Sequence, residues 1–279
     1  MTMRALQGVG LFTGVDARVE CSAGEGLTLC RGGAVEHVSV GLVQATPVLE
    51  NVPPGFPVRN TTIGMSDGRP LATVEQVLSC AAGLGVWGVR LTVEGPEIPI
   101  DDGSAAAFVR LMEGFARVES EPIVPREVIE VDDGRGASII VKPRRERGCS
   151  FTYVLDYGAG SPIAPQRATW EGDPREYATE IAPARTFSLL HEVQMAQKFG
   201  LFKRFTPRDL LVVGPDGAPI ENAWRFANEP ARHKLLDLIG DLALLGVPLQ
   251  ADVVATRSGH AMTHEVCRRV VGGKKFRSS

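Results

Sequence analysis

Three residues that can bind a metal or move a proton recur at four-residue spacing: His233, Asp237 and Asp241. The surrounding segment is apolar and periodic, which predicts a helix that begins near Asn228 and ends at Gly246. Residues four apart share one helix face, so this imidazole and the first carboxylate could reach one divalent ion. The alternative is an ordinary helical His–Asp pair, worth about a few tenths of a kcal/mol. Charges at the edge of an apolar core need partners, which favours the metal hypothesis.

Three further positions offer candidate reactive groups, two of them for proton transfer and the third a hydroxyl in a tight turn. His260 follows a glycine at the exit of a predicted strand, where it could act as a general acid or simply lie at the surface. Glu75 stands in the first turn of a predicted helix, either as a general base or as a carboxylate favoured by the helix dipole. Thr186 precedes a predicted helix, where an N-cap role is equally consistent. The other histidines are expected to be ordinary surface residues: His37, His191 and His264.

Strands and two helices are predicted in the first half of the chain. Period-two apolar patterns predict strands at residues 18–21, 27–30 and 89–93. A helix is predicted from Thr73, with Thr73 and Gln76 as a capping box and an end at Gly83 or Gly85. A second helix follows residues 102–104, and residues 51–57, with three prolines, are predicted to be a loop. The buried stripe of that second helix is expected to be Ala105, Phe108, Val109 and Met112.

The second half of the chain repeats this mixture of strands and helices. Strands are predicted at residues 138–141, 151–157 and 249–255, and a further helix at 189–199. Residues 120–133 are the best linker candidate. The sequence therefore predicts an α+β protein with an N-terminal domain at 1–122 and a C-terminal domain at 123–279.

Composition excludes several classes of protein. The chain has 279 residues, 44% of them hydrophobic, and a formal net charge of −3, which does not indicate a nucleic-acid partner. No apolar run is long enough to cross a membrane, and the N-terminus lacks a signal pattern, so a cytoplasmic location is expected. Five scattered cysteines are typical of reduced thiols. The basic run at 274–277 is typical of a solvated tail, with peripheral contact to an anionic ligand or membrane surface as the alternative.

Several stretches, taken in order, resemble the zinc-dependent UDP-3-O-acyl-N-acetylglucosamine deacetylases of bacterial lipid A biosynthesis. The resemblance covers nearly the whole chain. The matching stretches are 8–14 (GVGLFTG), 61–63 (TTI), 72–75 (ATVE), 82–85 (AGLG), 97–106 (EIPIDDGSAA), 180–187 (EIAPARTF), 232–237 (RHKLLD), 240–242 (GDL) and 258–261 (SGHA). Long matches in a fixed order indicate common ancestry and a common fold.

The resemblance implies an architecture and a set of roles. It implies two domains, each with a β-sheet and a helix pair, stacked as sheet, helices, sheet, and a helical insert at 188–213 beside an acyl-chain passage. It implies zinc as cofactor and an acylated UDP-amino-sugar as the small-molecule partner. The implied roles are zinc ligands for His233 and Asp237, general base for Glu75, general acid for His260 oriented by Asp241, oxyanion stabilisation for Thr186, assistance from Lys234, and substrate contacts for Phe187, Thr61 and Phe205.

The chain departs from the family at the third zinc ligand, which in the family is a histidine directly after the base glutamate. Gln76 occupies that position here. A neutral amide oxygen is a poorer zinc donor than an imidazole, and a catalytic zinc normally has three protein ligands. Phe12 replaces a histidine, Asn60 a cysteine, residues 204–209 a glycine-rich segment, and residues 263–264 a pair of asparagines.

Two hypotheses follow, and a third is weaker. The chain is a metal-dependent amide hydrolase of an acylated N-acetylglucosamine sugar nucleotide. Alternatively, it is a relative that has lost metal and hydrolysis and binds a sugar nucleotide, an acyl chain or a partner protein, with a regulatory role in lipid A synthesis. A purely structural protein is the third reading, although it gives the retained polar set (Glu75, Thr186, His233, Lys234, Asp237, Asp241 and His260) no purpose.

Overall fold

The computed structural model describes residues 4–44, 59–118 and 120–272. The predicted loop at 51–57 and the basic run at 274–277 lie outside the described residues.

The first part of the chain forms a five-stranded sheet, called here the N-terminal sheet, and a two-stranded ribbon. Their strands are β1 (Arg4–Val9), β2 (Asp16–Ala23), β3 (Thr28–Arg31), β4 (Ala34–His37), β5 (Ile63–Gly64), β6 (Pro70–Leu71) and β7 (Val89–Glu94). The sheet order is β1-β2-β7-β3-β4, and β5 pairs with β6. Within the sheet β3 and β7 run parallel, and the other neighbours are antiparallel.

The second part forms another five-stranded sheet, the C-terminal sheet, and a short parallel pair. Their strands are β8 (Ile129–Asp132), β9 (Ser138–Pro143), β10 (Ser150–Leu155), β11 (Gln166–Trp170), β12 (Phe187–Leu189), β13 (Leu211–Val213) and β14 (Ala251–Thr256). The sheet order is β11-β10-β14-β9-β8, and β12 pairs with β13. β10 and β14 run parallel, and the other neighbours are antiparallel.

The two sheets have the same topology. In each, the last strand along the chain inserts between the second and the third, antiparallel to the second and parallel to the third. A parallel neighbour needs a crossover connection, and in each half that connection carries a helix. The similar order of elements in the two halves is therefore a repeated fold, although the two amino-acid sequences show no repeat.

Six helices are described in these parts of the chain. They are α1 (Glu75–Leu84), α2 (Ala106–Met112), α3 (Pro174–Glu176), α4 (Leu190–Lys198), α5 (Glu229–Leu242) and α6 (His260–Gly272). A π-helical turn at Tyr177–Ile181 follows α3, and 3-10 turns lie at Val40–Leu42 and Ala243–Leu245.

The helices lie between the two sheets. α2 packs on β1 and β2, α5 packs on β10 and β11, and α6 packs on β8 and β9. α1 and α5 lie directly against each other, so the layers run sheet, helices, sheet. This confirms the α+β architecture with two sheet-containing domains, while the boundary at 122/123 stays a prediction.

Strong periodicity predicted the elements well, and weak periodicity did not. β7 buries Val89, Leu91 and Val93 and exposes the residues between them, as an alternating pattern requires. Residues 129–132, placed by the sequence in a linker, form β8 instead. α6 was not predicted. Among the described residues, no helix is long and apolar enough to cross a bilayer.

Candidate active site

A row of buried polar side chains runs along α5. His233, Asp237 and Asp241 are 3%, 7% and 1% exposed. The Asp237 Oδ1 atom lies 3.4 Å from His233 Nε2, and Asp237 Oδ2 accepts a 2.6 Å hydrogen bond from Lys234 Nζ. Burial opposes the charge of Asp237, but the charges of Lys234, His233 and His260 together outweigh burial and lower the pKa of this carboxyl. The row therefore holds an ionised carboxylate beside an imidazole.

The tautomer of His233 follows from its second nitrogen. His233 Nδ1 lies 3.1 Å from the carbonyl oxygen of Ala184, which can only accept a hydrogen bond. Nδ1 therefore carries the proton and Nε2 presents its lone pair toward Asp237. Burial lowers the pKa of His233, although the Asp237 charge works against it. A neutral imidazole held in this way is the form that binds metals.

The start of α1 differs from the predicted capping box. Thr73 has a positive φ of 59°, and its Oγ1 donates to Glu97 Oε1 at 2.7 Å while accepting from Asn60 Nδ2 at 3.0 Å. Gln76 Nε2 instead donates to the carbonyl oxygen of Gly103 at 3.3 Å. The capping-box prediction is wrong because the buried carboxylate of Glu97 takes the threonine hydroxyl, and α1 begins at Glu75 with no side-chain cap.

Glu75 is a buried carboxyl group at this helix start. It is 4% exposed, and Oε2 accepts a 3.0 Å hydrogen bond from the backbone nitrogen of Thr61. Burial raises its pKa to about 8; the His260 charge lowers it, and the Asp237 and Asp241 carboxylates raise it further. Perturbation by burial together with several charges is typical of functional carboxyls.

An aspartate–histidine pair faces Glu75 from the start of α6. His260 Nδ1 lies 2.7 Å from Asp241 Oδ2, and Thr61 Oγ1 donates to Asp241 Oδ1 at 2.5 Å. Burial opposes the charge of His260, but the charge and hydrogen bond of Asp241, together with the charges of Asp237 and Glu75, outweigh burial and raise the pKa to about 9. A carboxylate on Nδ1 holds the ring in one orientation and leaves Nε2 for proton transfer. The structure therefore offers a cationic acid beside a carboxyl base.

Two adjoining cavities lie beside this cluster, and one of them contains its side chains. The first, the polar cavity, has a volume of about 600 Å³, and its lining includes Glu75, Gln76, His233, Lys234, Asp237, Thr186, Phe187 and His260. The second, the apolar cavity, has a volume of about 510 Å³ and is bordered by α4 and by residues 202–212. Five residues line both cavities, so the two adjoin: Leu11, Phe12, Arg59, Thr186 and Phe187.

The fit of a metal ion can be judged from the donor atoms. Two ligands bound to zinc at about 2.0–2.1 Å and at a tetrahedral angle stand about 3.3–3.4 Å apart, which matches the 3.4 Å between His233 Nε2 and Asp237 Oδ1. Among the described residues, no group of three His, Cys, Asp or Glu side chains could hold a metal. The third acceptor is an amide: Gln76 Oε1 is buried and has no hydrogen-bond partner. His233 Nε2 and Asp237 Oδ1 are thus spaced as two ligands of one divalent ion, and Gln76, which lines the same cavity, offers only a weak further donor.

Comparison with known proteins identifies the family. The sequence model described as UDP-3-O-acyl N-acetylglycosamine deacetylase matches residues 2–272. The chain belongs to this family. A relative from Trichormus variabilis, named UDP-3-O-acyl-N-acetylglucosamine deacetylase, is 33% identical over 95% of this chain and 94% of its own length. Relatives with the same name from Nostoc sp. and Myxococcus xanthus are 34% and 32% identical, over 95% and 96% of this chain and 94% and 83% of their own lengths.

The structure brings most of the predicted site residues of this family member to one cavity. Thr186 directly precedes β12 rather than a helix, so it is not an N-cap; its backbone nitrogen donates to the carbonyl oxygen of Gly103 at 2.6 Å. The Phe187 ring lies edge-on to His233, with ring centres 6.5 Å apart. Phe205 lines the apolar cavity instead of the polar one. Thr61 is fully buried behind Asp241 and lines neither cavity.

Sequence reasoning missed His264 and Glu97. His264 is buried, and its Nε2 lies 3.0 Å from Thr61 Oγ1 and 3.5 Å from Asp241 Oδ1, so the expectation of a surface residue is wrong. The signal was present, because His260 and His264 are four apart on α6. Glu97 is fully buried and accepts hydrogen bonds from the backbone nitrogens of Phe12 and Thr13 as well as from Thr73. Glu97 holds the loop before β2 through these hydrogen bonds, and no local sequence pattern predicts it because the partners are far away in the sequence.

Proposed function

We propose that this protein hydrolyses the N-acetyl amide of a UDP-3-O-acyl-N-acetylglucosamine in lipid A biosynthesis. One observation carries the proposal: a buried carboxyl, Glu75, and a carboxylate-oriented histidine, His260, line one cavity together with the donor pair His233 and Asp237. Amide hydrolysis needs a base for water, an acid for the leaving amine and stabilisation of the oxyanion. Membership of a family whose relatives bear the name of this deacetylase supports the choice of substrate.

The proposed cofactor is a divalent metal, with zinc as the ion that the family resemblance implies. His233 and Asp237 would hold it, with Gln76 as third donor. What a bound ion supplies there is Lewis acidity toward the amide carbonyl and toward a water molecule. Its positive charge also favours the ionised form of Glu75, whose pKa is about 8 without metal.

The residues of the chain move the protons. Glu75 accepts a proton from the attacking water, and the hydrogen bond from the Thr61 nitrogen keeps the carboxylate oriented. His260 donates a proton from Nε2 to the amine as the C–N bond breaks, while Asp241 retains the proton on Nδ1 and stabilises the cation. Lys234 and Thr186 line the same cavity, where an ammonium and a hydroxyl can stabilise a developing oxyanion.

The adjoining apolar cavity suits the acyl chain of the substrate. It is lined by aliphatic and aromatic side chains from α4 and from the segment at residues 202–212. Burial of methylene groups there stabilises binding by about 0.8 kcal/mol for each CH₂. The acyl chain would thereby hold the sugar with its acetamido group in the polar cavity.

The direct test is acetate release from a UDP-3-O-acyl-N-acetylglucosamine by protein loaded with a divalent ion. We expect release that chelator abolishes, and we expect Glu75→Gln and His260→Gln each to lower kcat by about 10²-fold or more. Glu25→Gln and His37→Gln, at exposed positions, are matched controls that should leave the rate unchanged. Equal rates for the wild type and both active-site variants would refute the proposal.

One observation favours a second candidate function. Gln76 leaves the donor set weaker than the three-ligand set of a catalytic zinc, and a protein that no longer retains metal could still bind an acylated UDP-sugar in the two cavities. Saturable binding of that ligand without acetate release, in protein supplied with excess divalent ion, would establish this alternative.

A further inference from the structure

The amide oxygen of Gln76 is one of six buried side-chain oxygen or nitrogen atoms that have no hydrogen-bond partner among the described residues, and Gln76 and Asn60 are the two of these six residues that line the polar cavity. Gln76 is 3% exposed, and no described residue donates a hydrogen bond to Oε1. A buried acceptor without a partner is destabilising, so an unpaired acceptor that belongs to the lining of a cavity is a candidate ligand atom.

The orientation of this amide is fixed by its other end. Gln76 Nε2 donates to the carbonyl oxygen of Gly103, and that carbonyl also accepts from the Thr186 nitrogen. Rotating the amide by 180° would set two acceptors against each other, because a carbonyl oxygen cannot donate. Oε1 therefore points away from Gly103, and the Gln76 side chain lines the polar cavity.

The contact between α1 and α5 lies on the face of α5 that carries His233 and Asp237. Gly240 meets the first turn of α1 so closely that a Cβ built on Gly240 would lie 2.0 Å from the carbonyl oxygen of Glu75. Asp237 and His233 stand three and seven residues before Gly240, which places all three on one face of α5. Gln76, one residue after Glu75, lines the cavity that these two side chains also line.

We propose that Gln76 Oε1, His233 Nε2 and Asp237 Oδ1 form a divalent-cation site with one nitrogen and two oxygen donors, and that this donor set lowers the preference for zinc and admits Mn²⁺. The inference rests on the metal site of the proposed function but not on hydrolysis. Among the described residues, none donates a hydrogen bond to any of the three atoms. His233 Nε2 and Asp237 Oδ1 lie 3.4 Å apart, and Gln76 Oε1 has no partner.

The expected metal preference follows from donor chemistry. Imidazole suits zinc, whereas carboxylate and carbonyl oxygens suit Mg²⁺, Ca²⁺ and Mn²⁺. Replacing a second imidazole by an amide should therefore lower the affinity for zinc by a larger factor than the affinity for Mn²⁺. Zinc still binds more tightly in absolute terms, because the general affinity order places it above manganese. The measurable consequence is therefore the ratio of the two affinities.

The experiment measures dissociation constants for Zn²⁺ and Mn²⁺ on metal-depleted protein without substrate, by competition with a chromophoric chelator and by the electron paramagnetic resonance signal of free Mn²⁺. Gln76→Leu removes the oxygen, Gln76→His supplies an imidazole, and Gln197→His, at an exposed position on α4, controls for an added histidine. Melting curves of all variants, recorded without metal, serve to check that each variant is folded.

We expect Gln76→Leu to weaken Mn²⁺ binding by at least about tenfold, since even an outer partner of a metal ligand contributes about 10–100-fold. Gln76→His should raise zinc affinity at least about tenfold and Mn²⁺ affinity by a smaller factor. The inference is overturned if folded Gln76→Leu binds both ions as the wild type does, if Gln76→His changes both affinities equally, or if the wild type binds neither ion. Mn²⁺ binding as expected without acetate release would refute the proposed hydrolysis and leave this inference standing.

Discussion

Gly240→Ala is the substitution that most directly tests how the fold positions the base. The added Cβ would lie 2.0 Å from the carbonyl oxygen of Glu75, and real Cβ contacts essentially never fall below 3.0 Å. The contact atom is backbone, so no side-chain rotation relieves it. α1 and α5 must therefore separate by about 1 Å at the point where Glu75 faces the α5 row.

The expected magnitudes follow from that displacement. Overpacking of a core costs about 1–3 kcal/mol, and a backbone contact this short belongs at the upper end. Alanine regains about 1 kcal/mol over glycine in a helix, which leaves a net loss of about 2 kcal/mol. That loss lowers Tm by about 4–8 °C. A 1 Å displacement of a catalytic group costs about 10²-fold in rate, so kcat for acetate release should fall by that factor.

The assay pairs differential scanning calorimetry with steady-state kinetics and uses Gly272→Ala as control. Gly272 ends α6 and has open space around its Cβ position, so alanine there should leave Tm unchanged or raise it slightly. A Gly240→Ala protein with the Tm and kcat of the wild type would refute the claim that the α1–α5 contact fixes Glu75. A lowered Tm with unchanged kcat would refute only its catalytic part.

Three further predictions follow from other contacts. Glu229→Gln should cost about 3–5 kcal/mol in urea unfolding, because it leaves the buried Arg185 guanidinium without the charge that it contacts at 2.8 Å. Thr61→Val removes the donor to Asp241 Oδ1 and keeps the shape of the side chain, so kcat should fall about tenfold with little change in KM. In metal-free protein the pKa of His260 is raised from an ordinary 6.5 to about 9, so its protonated form contributes its full stabilisation below pH 6.5. This contribution should disappear as the pH rises through 9, and Tm should fall over that range. The fall in Tm between pH 6.5 and 9 should be absent in His260→Gln.

Each of these predictions has a control or a contrary outcome. Glu221→Gln breaks the exposed pair with Arg208 and should cost less than about 1 kcal/mol, so equal losses for Glu229→Gln and Glu221→Gln would contradict the role of burial. A raised KM with unchanged kcat in Thr61→Val would indicate substrate contact instead of support for Asp241. Parallel pH profiles of Tm for the wild type and His260→Gln would contradict the assigned ion pair.

The predictable part of the fold is the part with strong local patterns. β7 buries the alternating aliphatic residues that its pattern predicts. In α2 the predicted stripe is confirmed at Ala105, Phe108 and Met112, whereas Val109 is half-buried and Ala107 and Leu111 are buried instead. In α5 the predicted aliphatic residues are buried, but so are most of the polar ones, because this helix lies between the two sheets. α6 was missed because its buried positions include Thr263, His264 and Cys267, which a search for aliphatic periodicity does not count. The strand order of the sheets could not be predicted from local patterns, because strands far apart in sequence pair with each other, as β2 does with β7.

The residues of the site also fall into those that a local sequence pattern predicts and those that it does not. The row of His233, Asp237 and Asp241 was predictable because four-residue spacing on a helix fixes a shared face. The contact between Thr61 and Asp241 joins residues 180 positions apart, and no local pattern encodes it. Glu75 and Thr186 were open candidates from their positions beside predicted helices, and only the resemblance to the family gave each a single role. The capping-box prediction failed for a related reason, because the partner that takes the Thr73 hydroxyl, Glu97, comes from another element.

Charge balance explains why the polar cluster tolerates the change at position 76. Lys234 and His260 are held cationic beside Asp237 and Asp241, whose pKa values are lowered, so these two pairs neutralise each other. Glu75 is the remaining carboxyl, and its pKa of about 8 keeps it protonated at neutral pH in the metal-free protein. Replacing a neutral imidazole by the neutral amide of Gln76 leaves this balance intact, whereas loss of any one charged member would leave a buried charge unpaired, at a cost of about 3–5 kcal/mol. Retention of the charged set therefore stabilises the fold whether or not metal is bound. Acetate release by metal-loaded protein, and not the presence of these residues, separates an enzyme from a binding protein.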